Sequence, residues 1–143
     1  MNLAPVLTLV DATGLFKRVG DALELVELQA TPTLAMPAAF VIPDSESAAT
    51  TQLGTFIFDQ LVTSLFAVVV IVGADGARRG VAQAALHELE EGVIGCLAGA
   101  SLAGLDRPLE YVDARLVGLG GGRVSRLLRF RSVRRIRRTR TPS

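Results

Sequence analysis

The stretch TFIFDQLVTSLFAVVVIV, residues 55–72, decides the fold of this chain. β-Branched and aromatic residues dominate it, it contains neither Gly nor Pro, and Gly73 follows it directly. Such side chains lose rotamer freedom in a helix and pack well on a pleated surface, so the composition predicts one long strand. Its second half, residues 66–72, is apolar at successive positions, which is typical of a central strand covered on both faces.

The length of this strand limits where it can lie. A straight strand of these residues is roughly 56 Å long at about 3.3 Å per residue. A compact domain of 143 residues has a radius of gyration of only about 14 to 15 Å. The strand therefore either turns back near Asp59 and Gln60, or part of it projects and pairs with a neighbouring subunit.

The overall composition indicates one soluble domain. Half of the 143 residues are apolar, which is enough for a modest two-layer core. The longest apolar run, residues 65–72, is shorter than the roughly 18 residues that a membrane span needs. The N-terminus shows no basic start of a secretory signal, and the lone Cys96 cannot form an internal disulfide.

Charge is distributed unevenly along the chain. Residues 1–122 carry six basic and fourteen acidic side chains, whereas residues 123–143 carry nine Arg and no acid. The last residues contain too few apolar groups to pack alone. We therefore predict a single α+β domain over residues 1–131 and an Arg-rich tail over residues 132–143. The preference for Arg over Lys among the basic residues favours bidentate contacts. A GC-rich genome would also produce this preference.

Periodicity and helix breakers predict the remaining elements. We expect a helix over residues 5–22, short strands over 23–28 and 38–42, a polar loop over 44–54, a helix from 75 to about 102, and a hairpin with strands 109–119 and 123–131. The second helix has a clear apolar stripe of Ala82, Ala85, Leu86, Leu89, Val93, Cys96 and Leu97. This order predicts an α+β fold, a mostly antiparallel (mixed) sheet of four to five strands with two main helices packed on one face.

Patterns of catalytic and metal-binding residues are missing from the sequence. His87, the only His, and Cys96 have no partner at metal-ligand spacing. Neither a G-x-S-x-G elbow nor a Walker loop is present. A cryptic site of His87 with Glu88 or Glu91 is the enzyme alternative, but a solvated helix face explains these acids better. We predict no enzymatic activity, no cofactor and no metal.

The Arg cluster is the remaining candidate for function. Nine cations in the last 21 residues could neutralise phosphates, which would give salt-dependent binding without sequence specificity. Only Phe130 is interleaved with them, so the stacking expected of a single-strand binder is missing. A cationic segment can equally bind an acidic protein surface, including that of the next subunit. We favour protein docking over DNA binding.

Several segments, in their order and spacing, resemble the tail terminator (tail completion) proteins of tailed bacteriophages. They lie within residues 36–131 and are AFVIP at 39–43, the polar loop, the strand 66–72, ADGAR at 74–78 before LHELE at 86–90, PLEYV at 108–112, and RFR at 129–131 after a Gly turn. The resemblance implies a structural virion protein that forms a six-fold ring at the head-proximal end of the tail. Such a ring stops tube polymerisation and presents a surface to the head completion proteins.

The resemblance also implies partners and a location. The partners are copies of the chain in a homohexamer, the tail tube protein, the sheath protein and the head–tail connector or stopper protein, with DNA passing through the lumen and no membrane. The location is the virion tail, and the host cytoplasm during assembly. In such a ring we expect residues 55–60 to project toward a neighbour or the tube. A DNA-binding or other connector protein is the alternative.

The candidate interaction residues come from the polar loop, the long strand and the Arg-rich segment. They could contact protein or DNA, and they are Ser45, Glu46, Thr50, Gln52, Phe56, Phe58, Arg126, Arg129, Arg131, Arg134, Arg135, Arg137 and Arg138.

Overall fold

A computed structural model describes residues 1–29, 35–50, 52–53, 57–73, 79–120 and 122–139 of the chain. These ranges contain three helices and six strands. In chain order the elements are α1 Ala4–Ala12, β1 Arg18–Asp21, α2 Ala22–Gln29, β2 Ala38–Ala48, β3 Gln52–Leu53, β4 Ile57–Gly73, α3 Arg79–Leu97, β5 Glu110–Gly120 and β6 Arg123–Thr139. The predicted α+β class is confirmed.

Strand β4 lies at the centre of the sheet. The strand order is β1-β2-β4-β6-β5, and the two-residue β3 pairs beside one end of β4. β4 is antiparallel to β2 and to β6, and it pairs with β6 over its full length. Only β1 and β2 are parallel among the described pairs, so the sheet is mixed and mostly antiparallel. The predicted long strand is continuous and does not turn back at Asp59 and Gln60.

Alternate residues of β4 belong to two apolar clusters on opposite faces of the sheet. Phe66, Val68, Val70 and Val72 pack with side chains of α1 and α3, among them Val6, Val10, Leu86, Leu89, Val93 and Leu97. On the other face, Ala67, Val69 and Ile71 join Phe40 and Leu127, with Leu25 of α2 against them. The prediction of two main helices on one face is therefore confirmed for α1 and α3. Burial on both faces explains why residues 66–72 are continuously apolar.

The N-terminal predictions are wrong in two places. The helix predicted over residues 5–22 ends at Ala12, because Gly14 adopts a left-handed conformation with φ 69°. The strand predicted over residues 23–28 is instead α2. The missed signal is Asp21, whose Oδ1 accepts a hydrogen bond from the Glu24 backbone N–H (3.0 Å) and caps the new helix.

Strand β2 continues through Pro43 instead of ending there. A β-bulge lies between Pro43 and Ser45, and the strand runs on to Ala48. Pairing with β1 stops at Val41, so Pro43 lies where β2 has no strand neighbour on that side in the described structure. The loop predicted over residues 44–54 is therefore wrong for residues 44–48 and 52–53, while Thr51 and Gly54 lie outside the described residues.

Strand β6 crosses the expected boundary between domain and tail. The tail predicted from residue 132 is strand as far as Thr139, and residues 140–143 lie outside the described residues. Residues 132–139 pair in register with residues 57–64 of β4. Backbone pairing requires a neighbouring strand and not an apolar side chain, so the polar composition of this segment does not prevent strand formation.

Helix α3 confirms the predicted amphipathic helix with shorter bounds. It covers Arg79–Leu97, residues 75–78 lie outside the described residues, and Gly99 follows with φ 82°. On the predicted stripe, Ala82, Leu86, Leu89, Val93 and Leu97 are buried, Cys96 is half-buried and Ala85 is exposed. The Cys96 thiol donates a hydrogen bond to the Leu9 carbonyl (3.2 Å), and burial raises its pKa. These contacts suit a structural cysteine.

Candidate interaction surface

Three strands extend beyond the apolar clusters as one arm, defined here as residues 43–48 of β2, 57–65 of β4 and 131–139 of β6. None of the described side chains in these segments belongs to either cluster. The nine residues of β4 in the arm cover roughly 30 Å at about 3.3 Å per residue. In the described part of the chain the arm therefore lies outside the apolar clusters that the helices cover, and its surfaces are the candidate site.

The arm fixes the position of the segment that was expected to project. Residues 55 and 56 lie outside the described structure, and the backbone of Phe58 and Asp59 pairs with β3 on one side and β6 on the other. The side chains of residues 58–60 are only half-buried. β4 itself thus offers no free backbone edge at this point, and the outer edges of the arm belong to β2 and β6.

Most arginines of β6 bind carboxylates of the same chain. Five of them form ion pairs, which are Arg126 with Glu90, Arg129 with Asp113 and Asp44, Arg131 with Glu110, Arg134 with Glu46, and Arg135 with Asp59 and Asp106. The acidic body and the basic strand of the sequence are therefore brought together within one subunit. Because of these ion pairs, few arginines of β6 remain available to bind another molecule.

Arg129 forms the most extensive of these contacts. Its Nε donates to Asp113 Oδ1 (2.7 Å) and a terminal nitrogen donates to Oδ2 (2.5 Å) across the β5–β6 pair. Asp44 at the β2 bulge approaches the same guanidinium to 3.6 Å. The hydrogen bond with Asp113 raises the pKa of Arg129 and lowers the pKa of Asp113 below its usual value.

The helix-side face of the arm carries a small polar cluster. Glu46 accepts hydrogen bonds from the Ser64 hydroxyl (3.0 Å) and from Arg134 (2.7 Å). The hydroxyl of Ser132 has two acceptors for its one proton, Met1 Sδ (3.0 Å) and the Ser64 carbonyl (3.5 Å). Both serines are buried, as are the neighbouring Val62 and Val133, and none of the four belongs to either apolar cluster.

These pairs predict acid sensitivity. The pKa of Asp113 is lowered by its hydrogen bond with Arg129, and that of Glu46 by hydrogen bonds with Arg134 and Ser64. A carboxyl whose pKa is depressed by folding stabilises the native state above its unfolded pKa, and that stability is lost as the pH falls through the folded pKa. We therefore expect the free energy of unfolding to begin falling below about pH 4.5, the ordinary Glu value.

Urea unfolding between neutral pH and about pH 2 would measure this loss. The double variant Asp113→Asn/Glu46→Gln should show a shallower decline than the native chain. Asp11→Asn, at an exposed carboxyl of α1, should leave the pH profile unchanged. An identical profile for the native chain and the double variant would contradict the assignment.

Arg137 and Arg138 differ from the other arginines of the arm. Both are exposed, and neither has an ion-pair partner among the described residues. As successive strand residues they point to opposite faces of the arm. They stand opposite Asp59 and Phe58 of β4 in register. The end of the arm is therefore its most cationic free surface.

The structure brings some predicted site residues together and separates others. Ser45, Glu46, Phe58 and the arginines from 131 to 138 lie on the arm. Thr50 follows β2, and the backbone of Gln52 lies in β3. Arg126 contacts α3 instead, and Arg129 lies next to the arm at the β2 bulge. Phe56 and the side chain of Gln52 lie outside the described structure.

Sequence analysis missed the acidic partners of the arginines. One signal could have found a pair, because Asp113 and Arg129 each lie eight residues from Gly121 in the sequence. In the sequence, a hairpin turn at the three glycines 120–122 would place residues at equal distances from the turn opposite each other. Asp44, Asp59 and Asp106 come from other parts of the chain, so no local signal links them to β6.

Comparison with known proteins identifies the family. A family model described as phage tail terminator protein matches residues 4–141. The chain belongs to the phage tail terminator family. A solved structure entitled "Virion of native gene transfer agent (GTA) particle" contains a chain with 21% identity and a TM-score of 0.47, with 93% of this chain and 86% of that chain covered. No curated protein matches the chain.

Family membership confirms the resemblance predicted from the sequence. As a tail terminator family member, the protein is a structural component of the virion tail and associates with other tail components. Membership in a structural family supports the prediction that it is not an enzyme. Within the described ranges no group of three His, Cys, Asp or Glu side chains is placed to hold a metal ion. No helix in those ranges is long and apolar enough to cross a membrane.

Proposed function

We propose that the protein forms a homohexameric ring that caps the head-proximal end of the tail tube and joins it to the head completion or connector proteins. Family membership supports the position in the tail. The arm is the structural observation that supports the ring. The strand segments that form the arm lie outside both apolar clusters, and each outer edge of the arm lacks a strand partner in the described structure.

Unpaired strand edges explain why a ring suits this subunit. An exposed edge presents N–H and C=O groups that pair with other chains unless the protein covers or charges them. A contact between two different surfaces of neighbouring copies repeats from subunit to subunit and closes into a ring when the rotation permits. The arm provides two such surfaces, one on β2 and one on β6.

The tube-facing part of the ring is assigned to the end of the arm. Thr50, the β3 backbone at Gln52 and the half-buried Phe58 lie there. This surface combines polar and aromatic groups, which suits contact with the tube, sheath or connector proteins. DNA would pass through the lumen without being held by the arm.

DNA binding is the second candidate function, and the exposed Arg137 and Arg138 are the observation in its favour. Each phosphate contact changes the slope of log affinity against log salt concentration by about −0.9. Phosphate contacts by these two arginines of the described arm therefore predict a slope of only about −1.8. Because five other arginines of β6 bind carboxylates of their own chain, we favour protein contact.

Native mass spectrometry and electron microscopy test the ring. We expect particles with six times the 15.1 kDa of one chain, either in the free protein or after addition of tail tubes, and we expect the particles at one end of each tube. A protein that stays monomeric at every concentration and never joins tubes would contradict the proposal. A monomer that shifts unrelated duplex DNA, with the shift lost in Arg137→Ala/Arg138→Ala, would support the DNA alternative.

A further inference from the structure

We propose that the outer edge of β6 in one subunit pairs with the outer edge of β2 in the next, through main-chain hydrogen bonds and opposite charges. The two surfaces are the basic edge, residues 134–139, and the acidic edge, residues 43–48. This inference rests on the proposed ring and names the contact that closes it. The partner is a second copy of this chain.

Both edges have unpaired backbone. On the β2 side, pairing with β1 ends at Val41. On the β6 side, pairing with β5 ends at Arg131, and one further hydrogen bond joins the Asp106 N–H to the Val133 carbonyl (2.7 Å). No strand in the described structure covers the outer side of residues 43–48 or 134–139. Each edge can therefore accept one added strand.

The two edges carry opposite charge. The acidic edge contains Asp44 and Glu46 and no cation. Their side chains remain 35% and 47% exposed despite their contacts with Arg129 and Arg134. The basic edge contains four Arg and no acid, and two of them, at 137 and 138, have no ion-pair partner in the described part of the chain.

This charge pattern selects one pairing among the possible ones. Two basic edges or two acidic edges would place like charges opposite each other, which is destabilising in a strand pair. Only the basic edge of one copy against the acidic edge of another combines open backbone with attraction. Charged edges also disfavour pairing with unrelated strands, so the same residues give the contact its specificity.

The position of the two edges makes the contact repeat. β4 lies between β2 and β6, so the edges are on opposite sides of each arm. With neighbouring strands about 4.8 Å apart, the two edges lie roughly 10 Å from each other. One arm can therefore use both edges at once, with one neighbour on each side. Such a heterologous contact produces a closed ring or an open filament and not an isolated dimer.

Reciprocal charge exchange tests the pairing. The first variant, Arg137→Glu/Arg138→Glu, places two carboxylates on the basic edge at exposed positions without an ion pair to lose, which lowers the formal charge of that edge from +4 to 0. The second, Ser45→Arg/Ser47→Arg, places two cations on the acidic edge at exposed serines, which raises the formal charge of that edge from −2 to 0. Each is expected to weaken subunit association by at least about tenfold, because like charges then meet across the contact. All four substitutions in one chain should restore the affinity to within about threefold of the native value.

Matched controls separate this effect from net charge and from misfolding. Arg107→Glu/Arg115→Glu makes the same change of charge as the first variant at exposed residues outside the arm, and it should leave association unchanged. Circular dichroism and the urea midpoint should be native-like in every variant. Association is measured by sedimentation velocity over a concentration series.

Four results would overturn the edge pairing. Native-like association of both double variants would do so while leaving the ring proposal intact. Loss of association without recovery in the fourfold variant would also do so. Loss of DNA or tube binding by Arg137→Glu/Arg138→Glu, with subunit association unchanged, would assign the basic edge to that partner instead. A native chain that stays monomeric and ignores tubes would remove this inference and the ring together.

Discussion

Replacing Phe66 with alanine is expected to lower the free energy of unfolding by about 3–5 kcal/mol. Phe66 is 1% exposed and belongs to the helix-face cluster. Its ring stacks on that of Phe130 on β6, with centroids 5.5 Å apart and an angle of 16° between the planes. Tyr111 of β5 meets Phe130 edge-on at 5.6 Å. The substitution therefore opens a cavity where three strands and the helix layer meet.

Urea unfolding followed by circular dichroism measures this loss. Phe66→Leu is a graded control, which keeps most of the volume and loses mainly the aromatic contact, worth about 0.5–1.5 kcal/mol. Phe58→Ala is the matched control on the arm. Its side chain is half-buried and outside both clusters, so we expect a clearly smaller loss. Similar losses for Phe66→Ala and Phe58→Ala would mean that the core extends through the arm.

Replacing Arg126 with alanine is expected to lower the free energy of unfolding by roughly 2–4 kcal/mol. Arg126 forms an ion pair with Glu90 of α3, and the Glu90 side chain is only 14% exposed. Removing one partner of a buried pair typically costs about 3–5 kcal/mol, because the remaining charge is left without compensation. The loss expected for Arg126→Ala lies below that range because both side chains are only partly buried, with the Arg126 side chain 32% exposed.

A double-mutant cycle tests this assignment. Arg126→Met/Glu90→Leu removes both charges and should lower the free energy of unfolding much less than either single replacement, Arg126→Met or Glu90→Leu, since apolar pairs can replace buried ion pairs. Arg131→Ala is the control, because its cross-strand pair with Glu110 is 43% and 47% exposed and should contribute at most about 1 kcal/mol. Additive losses at Arg126 and Glu90 would show that the two side chains act independently.

The substitutions at Phe66 and Arg126 affect a different part of the molecule from the substitutions that test subunit association. Phe66 and Arg126 stabilise the contact between the sheet and the helices, whereas Arg137 and Arg138 stand on the free end of the arm. Arg126→Met/Glu90→Leu should therefore keep the association state of the native chain. Stability and assembly can be changed separately because the arm lies outside both apolar clusters.

The sequence by itself determined the elements whose signals are local. The β-branched run of β4 and the apolar stripe of α3 each depend on neighbouring residues, and both elements were predicted, α3 with longer bounds than the structure has. The antiparallel pairing of β5 with β6 was predicted as well. Strand alternation likewise places Val124, Leu128 and Phe130 on one face of β6, where all three pack in the helix-side cluster. Family membership followed from the order and spacing of such segments.

Tertiary structure alone decided the extent of β2 and β6 and the partners of the arginines. Residues 44–48 and 132–139 are polar and have no strand signal of their own, but β4 provides a backbone partner for each. Arg135 binds Asp59 and Asp106, which come from distant parts of the sequence. Strand register brings these charges together, and register depends on pairing across the whole sheet. For this reason the sequence predicted a free cationic tail where the folded chain has a paired strand with two free arginines.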